Sequence, residues 1–594
     1  MKTTSKLEAL KQITTKPQLA TLIGVKAQFL THVLYRLKPI TQYTTFTIPK
    51  KSGGTRTIFA PSDKLKSIQS NLSILLLDCI DEINESNKKK YTYKHALSHG
   101  FVRECSIMTN AVMHLNQKNV LNIDLKDFFD SFNFGRVRGF FIKNNHFKLD
   151  PHIATVIAQI ACYDNKLPQG SPCSPVITNL ITHSLDIRLA SLAKKHSCIY
   201  SRYADDMTFS TRKSVFPSQI MRQEDDKFIT GKKLKSKIKQ AGFEINEKKT
   251  RIQYKDSRQD VTGLIVNQKP NVKKEYWRTV KSQCNRLFHT GTFTKKVTDG
   301  EIEGKINELE GQLNFIDQID RFNRSRQKPP LNHTYKLAIH GHNTTPLLSG
   351  REKTFSRFLY YRLFYANTNP TILCEGKTDN TYLKSAINIL ASDYPTLANS
   401  KSIDVAYKLL IRFIEHSNRT RFLLKLFGGT SYLNYFITQY DKQYTYYKAP
   451  KPQQPVIIVL DNDSGFSGKK DAGIDGKLRN IDSTISYPTT LKKDDYRNAD
   501  FVHVIHNLYI VLTPLNSGKE TAIEDLFDDK TRKIPISGKT FNPDDKKRDS
   551  DKEYSKEVFA QKVIKAQKND IDFNGLKPLL DRIVAAVTHY DSIK

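Results

Sequence analysis

The sequence predicts an α+β domain followed by an α/β domain built on a parallel sheet, and three observations lead there. At 594 residues the chain is too long for a single core. From about residue 44 to 267, short β-branched and aromatic runs separated by turn signals are interleaved with helical periodicity, the mixture expected of an α+β unit. Beyond a Pro-rich stretch, the apolar runs "TILC" (371–374) and "VIIVL" (456–460) alternate with helical segments, and each ends on acidic residues. Parallel α/β sheets carry their functional groups at the carboxyl ends of such strands.

Composition narrows the partners. There are 94 Lys and Arg against 60 Asp and Glu, a net charge of +34. Up to residue 330 the count is 55 against 30, or +25, and in the remainder 39 against 30, or +9. An excess of this size calls for a polyanion, and nucleic acid fits better than a membrane because no basic amphipathic anchor accompanies it. No apolar run of about 18 residues is present, so no membrane span is expected. The start "MKTTSKLEALKQ" lacks the apolar core of a secretory signal. Seven scattered cysteines without a C-x-x-C pair predict reduced thiols in a cytoplasm and no zinc site.

Taken in order, residues 1–45 read as basic helices. "TTFTIPKKSGGTRTIFAP" (44–61) reads as two strands around a Gly-Gly turn, and 62–86 as a helix capped at Ser62 or Asp63. "NVLNIDL" (119–125) is an apolar strand carrying Asp124. A helix over "DPHIATVIAQIACY", the loop "KLPQGSPCSP" and a second helix lead to "CIYSRYADDMTFSTRK" (198–213), two strands with Ala204, Asp205 and Asp206 at a hairpin tip. A basic helix, a turn at Gly242 and a strand follow, then a strand over "VTGLIVN" (261–267) and a helical, basic stretch over 273–326. Residues 325–350 read as a linker, with surface histidines at 333, 340 and 342, and 537–557 as a mobile charged loop.

Two like charges at the tip of a hairpin repel unless a cation lies between them. Asp124, Asp205 and Asp206 brought together are a donor set for two Mg²⁺ ions, which activate a hydroxyl nucleophile and neutralise a leaving pyrophosphate. Phosphoryl transfer asks for that kind of positioning and charge stabilisation.

The array resembles a reverse transcriptase, with its right-hand fold of fingers, palm and thumb. "KKSGGTRTIFAP", "NIDLKDFF", "LPQGSPCSP", "YADD" and "GFEINEKKT" are similar to the successive motifs of that family, and "NAVMH" (110–114) and "VTG" (261–263) to two signatures of retron reverse transcriptases. The resemblance covers about residues 40–320. It implies that Asp124, Asp205 and Asp206 are metal ligands and that Phe129 is a steric gate excluding a 2′-hydroxyl, which favours dNTPs. It also puts Gln169 and Gly170 against template and nucleotide, and Arg56 on the triphosphate. Lys249 is the residue that would protonate pyrophosphate, with Lys248 as the alternative. Asn110, His114, Lys273, Lys274, Arg278, Lys281 and Arg286 are expected at the RNA, a structured noncoding template and primer. Its copying from a guanosine 2′-hydroxyl would give a branched RNA–DNA product. Residues 1–260 would then be fingers and palm with a helical extension, 261–326 the thumb and 327–368 a linker.

Residues 369–594 carry a second constellation. Glu375, with Gly376 and Asp379 behind it, follows "TILC", and Asp461 and Asp463 follow "VIIVL" 86 residues later, with Gly428–Gly429 between. Together they resemble a Toprim domain with helical insertions. That resemblance implies Glu375 as general acid or base and Asp461 and Asp463 as ligands of one or two Mg²⁺, with Glu524 and Lys519 as further acidic and basic positions. No P-loop, EF-hand or zinc ribbon accompanies them, which favours a nuclease; the resemblance to retron enzymes implies that it acts on nucleic acid as an effector in bacterial antiphage defence. Two alternatives are an enzyme of mobile-intron type and a non-catalytic Toprim scaffold. A homo-oligomer is compatible with all of these.

Overall fold

The computed structural model describes residues 5–50, 53–86, 92–224, 227–297, 300–327, 345–402, 405–415, 417–426, 428–467, 474, 496–544 and 547–594. The histidines at 333, 340 and 342 lie outside them. The chain forms two compact units, Met1–Lys273 and Lys274–Lys594. Among the described residues no helix is long and apolar enough to cross a membrane.

In the first unit, β1 (Tyr43–Pro49) and β2 (Thr55–Pro61) make an antiparallel hairpin. Helix α1 (Asp63–Ser86) starts where Ser62 Oγ accepts from the Leu65 amide at 3.4 Å. Its Leu65, Ile68, Leu72, Leu75, Leu76 and Cys79 recur at helical spacing and are buried, one apolar stripe turned to the core. Helices α2 (Ile107–Met113), α3 (Pro151–Ala161) and α4 (Ser174–Lys195) pack with an antiparallel sheet. That sheet runs β4 (Ile199–Tyr203), β5 (Asp206–Thr211), β3 (Asn119–Lys126), β6 (Glu244–Ile245), with β7 (Arg251–Tyr254) also on β3. As the central strand, β3 is buried along nearly its whole length, which its "NVLNIDL" run anticipates. Between β6 and the sheet's other parts the chain passes through helix α5 (Lys232–Gln240) and the turn at Gly242. "VTGLIVN" is two strands, not one: β8 (Asp260–Val261) and β9 (Leu264–Ile265) fold back on each other because Thr262 and Gly263 both take positive φ.

The second unit begins with helix α6 (Lys274–Thr290). A hairpin of β10 (Thr294–Val297) and β11 (Gly300–Glu303) interrupts the expected all-helical stretch before helix α7 (Ile306–Ser325). The later part of the expected linker is folded. Helix α8 (Gly350–Tyr360) opens on a Ser349–Glu352 capping box, and Phe355, Phe358, Tyr361, Phe364 and Tyr365 are buried aromatics. Charges tie α7 to its neighbours: Arg419 grips Asp317 through Nε at 2.8 Å and reaches Glu352 at 2.9 Å, while Arg351 pairs with Asp320 at 3.2 Å.

The sheet of this unit runs β13 (Arg412–Phe413), β12 (Thr371–Cys374), β14 (Val456–Leu460), β16 (Leu508–Leu512), β15 (Val502–Ile505). All neighbours are parallel except the β15 edge. Buried on both faces, β12, β14 and β16 are continuous apolar runs, as central parallel strands are. Helices α9 (Lys377–Ile389), α10 (Asn418–Leu424), α11 (Thr430–Tyr444) and α12 (Lys577–Ile593) complete the unit. The charged stretch 537–557, expected as a mobile loop, includes a short parallel pairing of Thr540–Phe541 with Glu553–Tyr554.

Candidate active sites

In the first unit the β4–β5 hairpin turns on a two-residue tip, Ala204 and Asp205, so only the first of the paired aspartates lies on it. Ala204 adopts φ 56°, and Asp206 opens β5 opposite both Tyr203 of β4 and Asp124 of β3. The Leu125 amide donates to the Asp205 carbonyl at 3.1 Å, so the tip is stitched to β3. Like charges at directly opposed sheet positions repel. Asp206 reaches solvent, yet the protein crowding its carboxyl, with Asp205 and then Asp124 beside it, pushes it up to about 6. Burial and the Asp124 charge raise Asp205 as well.

Asp124 itself is largely buried and is held by Lys249 Nζ, at 2.9 Å from Oδ2, and by Asn246, whose Nδ2 reaches Oδ1 at 3.2 Å. Among the described residues no group of three His, Cys, Asp or Glu side chains is drawn together as a metal site. Asp124 is turned instead to the ammonium.

A cleft of about 830 Å³ opens beside these carboxylates, lined by Arg56, Asp124, Phe129, Gln169, Asp205 and Lys249 among others. Five separate stretches of sequence therefore converge on one cavity. Phe128 is stacked into the core on Phe243, and Phe129, the next residue, faces the cleft. Of the two candidate lysines, Lys249 meets Asp124. Asn246 and Lys166 also line the cleft and were not anticipated; Lys166 pairs with Asp130 at 2.6 Å.

Gly170 is exposed and takes φ 125°, and a Cβ there would fall 2.4 Å from the Phe59 carbonyl oxygen, so the glycine also serves the approach of its own loop to β2. The Phe59 amide donates to the Gln169 carbonyl at 2.8 Å at the same place. Asn110 and His114 are completely buried and cannot meet RNA. His114 bridges Ser210 and Ser201 at 2.7 Å each, and Ser201 donates to Asn110 Oδ1 at 2.6 Å, pinning α2 to the aspartate hairpin. Burial lowers His114 to about 3, so the bridge is made by the neutral ring. Lys273, Lys274, Arg278, Lys281 and Arg286 are exposed.

In the second unit, the acids lie at the carboxyl ends of adjacent parallel strands. Glu375 follows β12, and Asp461 and Asp463 follow β14. Thr430 Oγ1 donates to Glu375 Oε1 at 2.9 Å, and the Gly429 amide donates to the Glu375 carbonyl at 3.1 Å. Gly428 and Gly429 both take φ above 80°, a turn closed to most residues. Burial, then Asp463 and Asp379, raise the Glu375 carboxyl. Asp461 accepts from the Ile523 amide at 2.9 Å, yet burial together with Asp379, Glu524 and Glu375 pushes it up to about 8. Glu524 is buried, with one oxygen 3.0 Å from Lys556 Nζ and the other, Oε1, without a hydrogen-bond partner.

Lys519, the expected basic partner, is exposed in a tight turn, and Lys556 takes that place. No signal in "YSKEVF" distinguishes Lys556 from other surface lysines. Asn462, between the two aspartates, is buried and fixed by Thr513 and Arg497, which sets the direction of the acids on either side.

The fold of the first unit and a cleft lined by these motif residues define a reverse transcriptase, and residues 48–273 match the family model described as reverse transcriptase (RNA-dependent DNA polymerase). The chain belongs to the retron reverse transcriptases. It is 33% identical to the retron Ec86 reverse transcriptase of Escherichia coli, over 47% of this chain and 77% of that one. It is 32% identical to the retron Mx162 reverse transcriptase of Myxococcus xanthus, over 47% of this chain and 58% of that one. The match thus spans little more than half the length of the Mx162 enzyme. Among solved structures, apo telomerase from Candida tropicalis truncated from its C-terminal domain aligns with a TM-score of 0.26 at 18% identity, over 38% of this chain and 53% of that one.

Proposed function

We propose that the chain is an RNA-directed DNA polymerase that copies a structured noncoding RNA into branched, RNA-linked single-stranded DNA. The convergence of Arg56, Asp124, Phe129, Gln169, Asp205 and Lys249 on one cleft carries this reading. The carboxylates of Asp124, Asp205 and Asp206 fit divalent cations: all their donors are oxygens, and Asp206, opposite Asp124 on the neighbouring strand, is crowded enough to be raised to about 6. Magnesium bound there would supply neutralisation of the attacking hydroxyl and the departing pyrophosphate.

The protein's own residues do the rest. Arg56 binds the triphosphate. The Phe129 ring lies under the sugar and selects against a 2′-hydroxyl. Lys249, released from Asp124, donates a proton to the pyrophosphate oxygen as the bond to the α-phosphorus breaks. Exposed Lys274, Arg278, Lys281 and Arg286 on α6 bind RNA phosphates. Primer extension on an RNA template by the purified chain, with Asp205→Asn as control, tests the reading. Equal incorporation by both proteins would refute it.

A second reading concerns the other unit, and the unpartnered Glu524 oxygen beside Asp461 favours it. We read Glu375, Asp461, Asp463 and Glu524 as a Toprim-type, Mg²⁺-dependent nuclease site, with Glu375 moving the proton and the aspartates holding the cation. Such a site would be an antiphage effector acting on nucleic acid. Metal-dependent cleavage lost in Glu375→Ala supports a nuclease. An intact protein that cleaves neither DNA nor RNA would be a scaffold.

A further inference from the structure

We propose that Arg202 is a positioning residue for the polymerase carboxylates, a buried charged strut that with Asp186 holds the Ala204–Asp205 turn in a single conformation. The proposal rests on the polymerase reading of the cleft.

Arg202 and Asp186 are both completely buried. The guanidinium spends its fork on two partners. Nε and Nη2 donate to the two oxygens of Asp186, each at 2.8 Å, and Nη1 donates to the Ala204 carbonyl at 2.9 Å. Tyr200 adds a hydrogen bond to Asp186 Oδ1 at 2.8 Å. Asp186 sits on α4 and Arg202 on β4, so the strut runs from a long helix to the hairpin tip. Its backbone is fixed too: the Arg202 amide donates to the Leu97 carbonyl and the His99 amide to the Arg202 carbonyl, both at 2.8 Å.

The conformation being held is an unusual one. Ala204 has φ 56°, which an L-residue with a Cβ keeps only where its surroundings impose it. Two contacts impose it. The Arg202 fork takes the Ala204 carbonyl, and the 97–100 segment packs so closely that a Cβ on Gly100 would lie 2.7 Å from the Ala204 amide nitrogen. The next residue along is Asp205, and the one after faces Asp124.

Stability alone does not explain a buried ion pair at this place, because apolar replacements of such pairs are often neutral or stabilising. A directed hydrogen bond to one carbonyl is what apolar packing cannot supply. Arginine is suited to it because its planar donors reach carboxylate and carbonyl together, whereas lysine offers a single nitrogen.

Two variants separate positioning from packing. Arg202→Lys keeps the charge opposite Asp186 and loses the fork. Arg202→Met with Asp186→Leu replaces the pair by apolar volume, and carries the test if the lysine variant does not fold. For each, thermal unfolding in EDTA, Mn²⁺ binding by electron paramagnetic resonance without nucleic acid, and single-nucleotide incorporation are measured. The expected result is cooperative unfolding like the parent, Mn²⁺ affinity weakened about tenfold, and kcat lowered about 10²-fold with KM for primer–template unchanged. A variant that unfolds cooperatively and matches the parent in Mn²⁺ affinity and kcat overturns the positioning role. Asp205→Asn is run beside them. If it too incorporates like the parent, the polymerase reading fails; if it alone is inactive, only the role of Arg202 does.

Discussion

Lys249 donates to both carboxylate oxygens of Asp124, at 3.1 Å to Oδ1 and 2.9 Å to Oδ2, so the first acid of the polymerase motifs is bound to a lysine. The ammonium holds the negative charge that a divalent cation would otherwise hold. Lys249→Met therefore has two opposite effects. Metal binding tightens, since no resident cation competes, and incorporation slows by about 10²-fold through loss of the proton donor. Titrating Mg²⁺ against the incorporation rate checks both. A variant with unchanged metal dependence and unchanged rate would show that Lys249 is only a surface partner of Asp124.

Asp206 gives a pH prediction with a definite sign. Its carboxyl is raised to about 6 from an ordinary value near 3.8, so between those limits the folded protein keeps a proton that the unfolded chain releases. Without metal, this group makes stability fall as pH rises from about 4 to 6. Asp206→Asn removes that slope and raises the melting temperature at pH 7 in EDTA, while abolishing DNA synthesis. Melting curves from pH 4 to 8 test it; an equal slope in parent and variant contradicts the assignment.

Much of this was legible in the sequence, for particular reasons. Strands such as "NVLNIDL" and "VIIVL" are apolar enough to be central, and the residues that end or interrupt them are acids with no structural reason to be there. What stayed hidden depends on side-chain direction. "NAVMH" resembles a retron signature, which puts Asn110 and His114 at the RNA, yet their partners, Ser201 and Ser210, lie about 90 residues away and appear only when the hairpin forms. Lys556 was invisible for the same reason, since nothing local pairs it with Glu524. Thr262 defeated the strand assignment at 261–267: a β-branched residue gives no warning of positive φ.

Phe129 is the residue whose role is narrowest. It lines the cleft with its ring set edge-on to Phe128, whose own ring is in the core. Phe129→Val should admit ribonucleotides, lowering the preference for dNTPs by about 10- to 200-fold, the range a pocket of altered volume gives. Paired kcat/KM measurements for dNTP and rNTP decide it. Unchanged discrimination would make Phe129 a wall of the cleft and no more.

With its carboxyl raised to about 8, Asp461 would be contested by a proton and a cation, and metal binding there would release the proton. In an Asp205→Asn background, chosen to weaken metal binding in the polymerase cleft, Mg²⁺ should raise the melting temperature more at pH 8.5 than at pH 6. Asp461→Asn should lose that difference, and Lys556→Met should weaken it less. Equal Mg²⁺ effects at both pH values would argue against a cation at Asp461.

The last prediction concerns why the polymerase unit shares a chain with the second acidic site. If the RNA–DNA product restrains the nuclease, a polymerase-dead protein has no restraint. Asp205→Asn, expressed with the cognate RNA at matched levels, should then slow growth of its host and degrade cellular nucleic acid. Glu375→Ala or Asp461→Ala in the same chain should restore growth, because the proton carrier or the metal ligand of the second site is gone. The reverse order is equally physical: synthesis of the product assembles the effector, and Asp205→Asn is then silent. The two differ in sign, so one comparison of single and double variants separates them. Toxicity relieved by the second mutation means restraint. A harmless Asp205→Asn protein that also fails to defend against phage means assembly. If Glu375→Ala changes nothing in any background, phage challenge included, the acids at the ends of β12 and β14 are not the effector site.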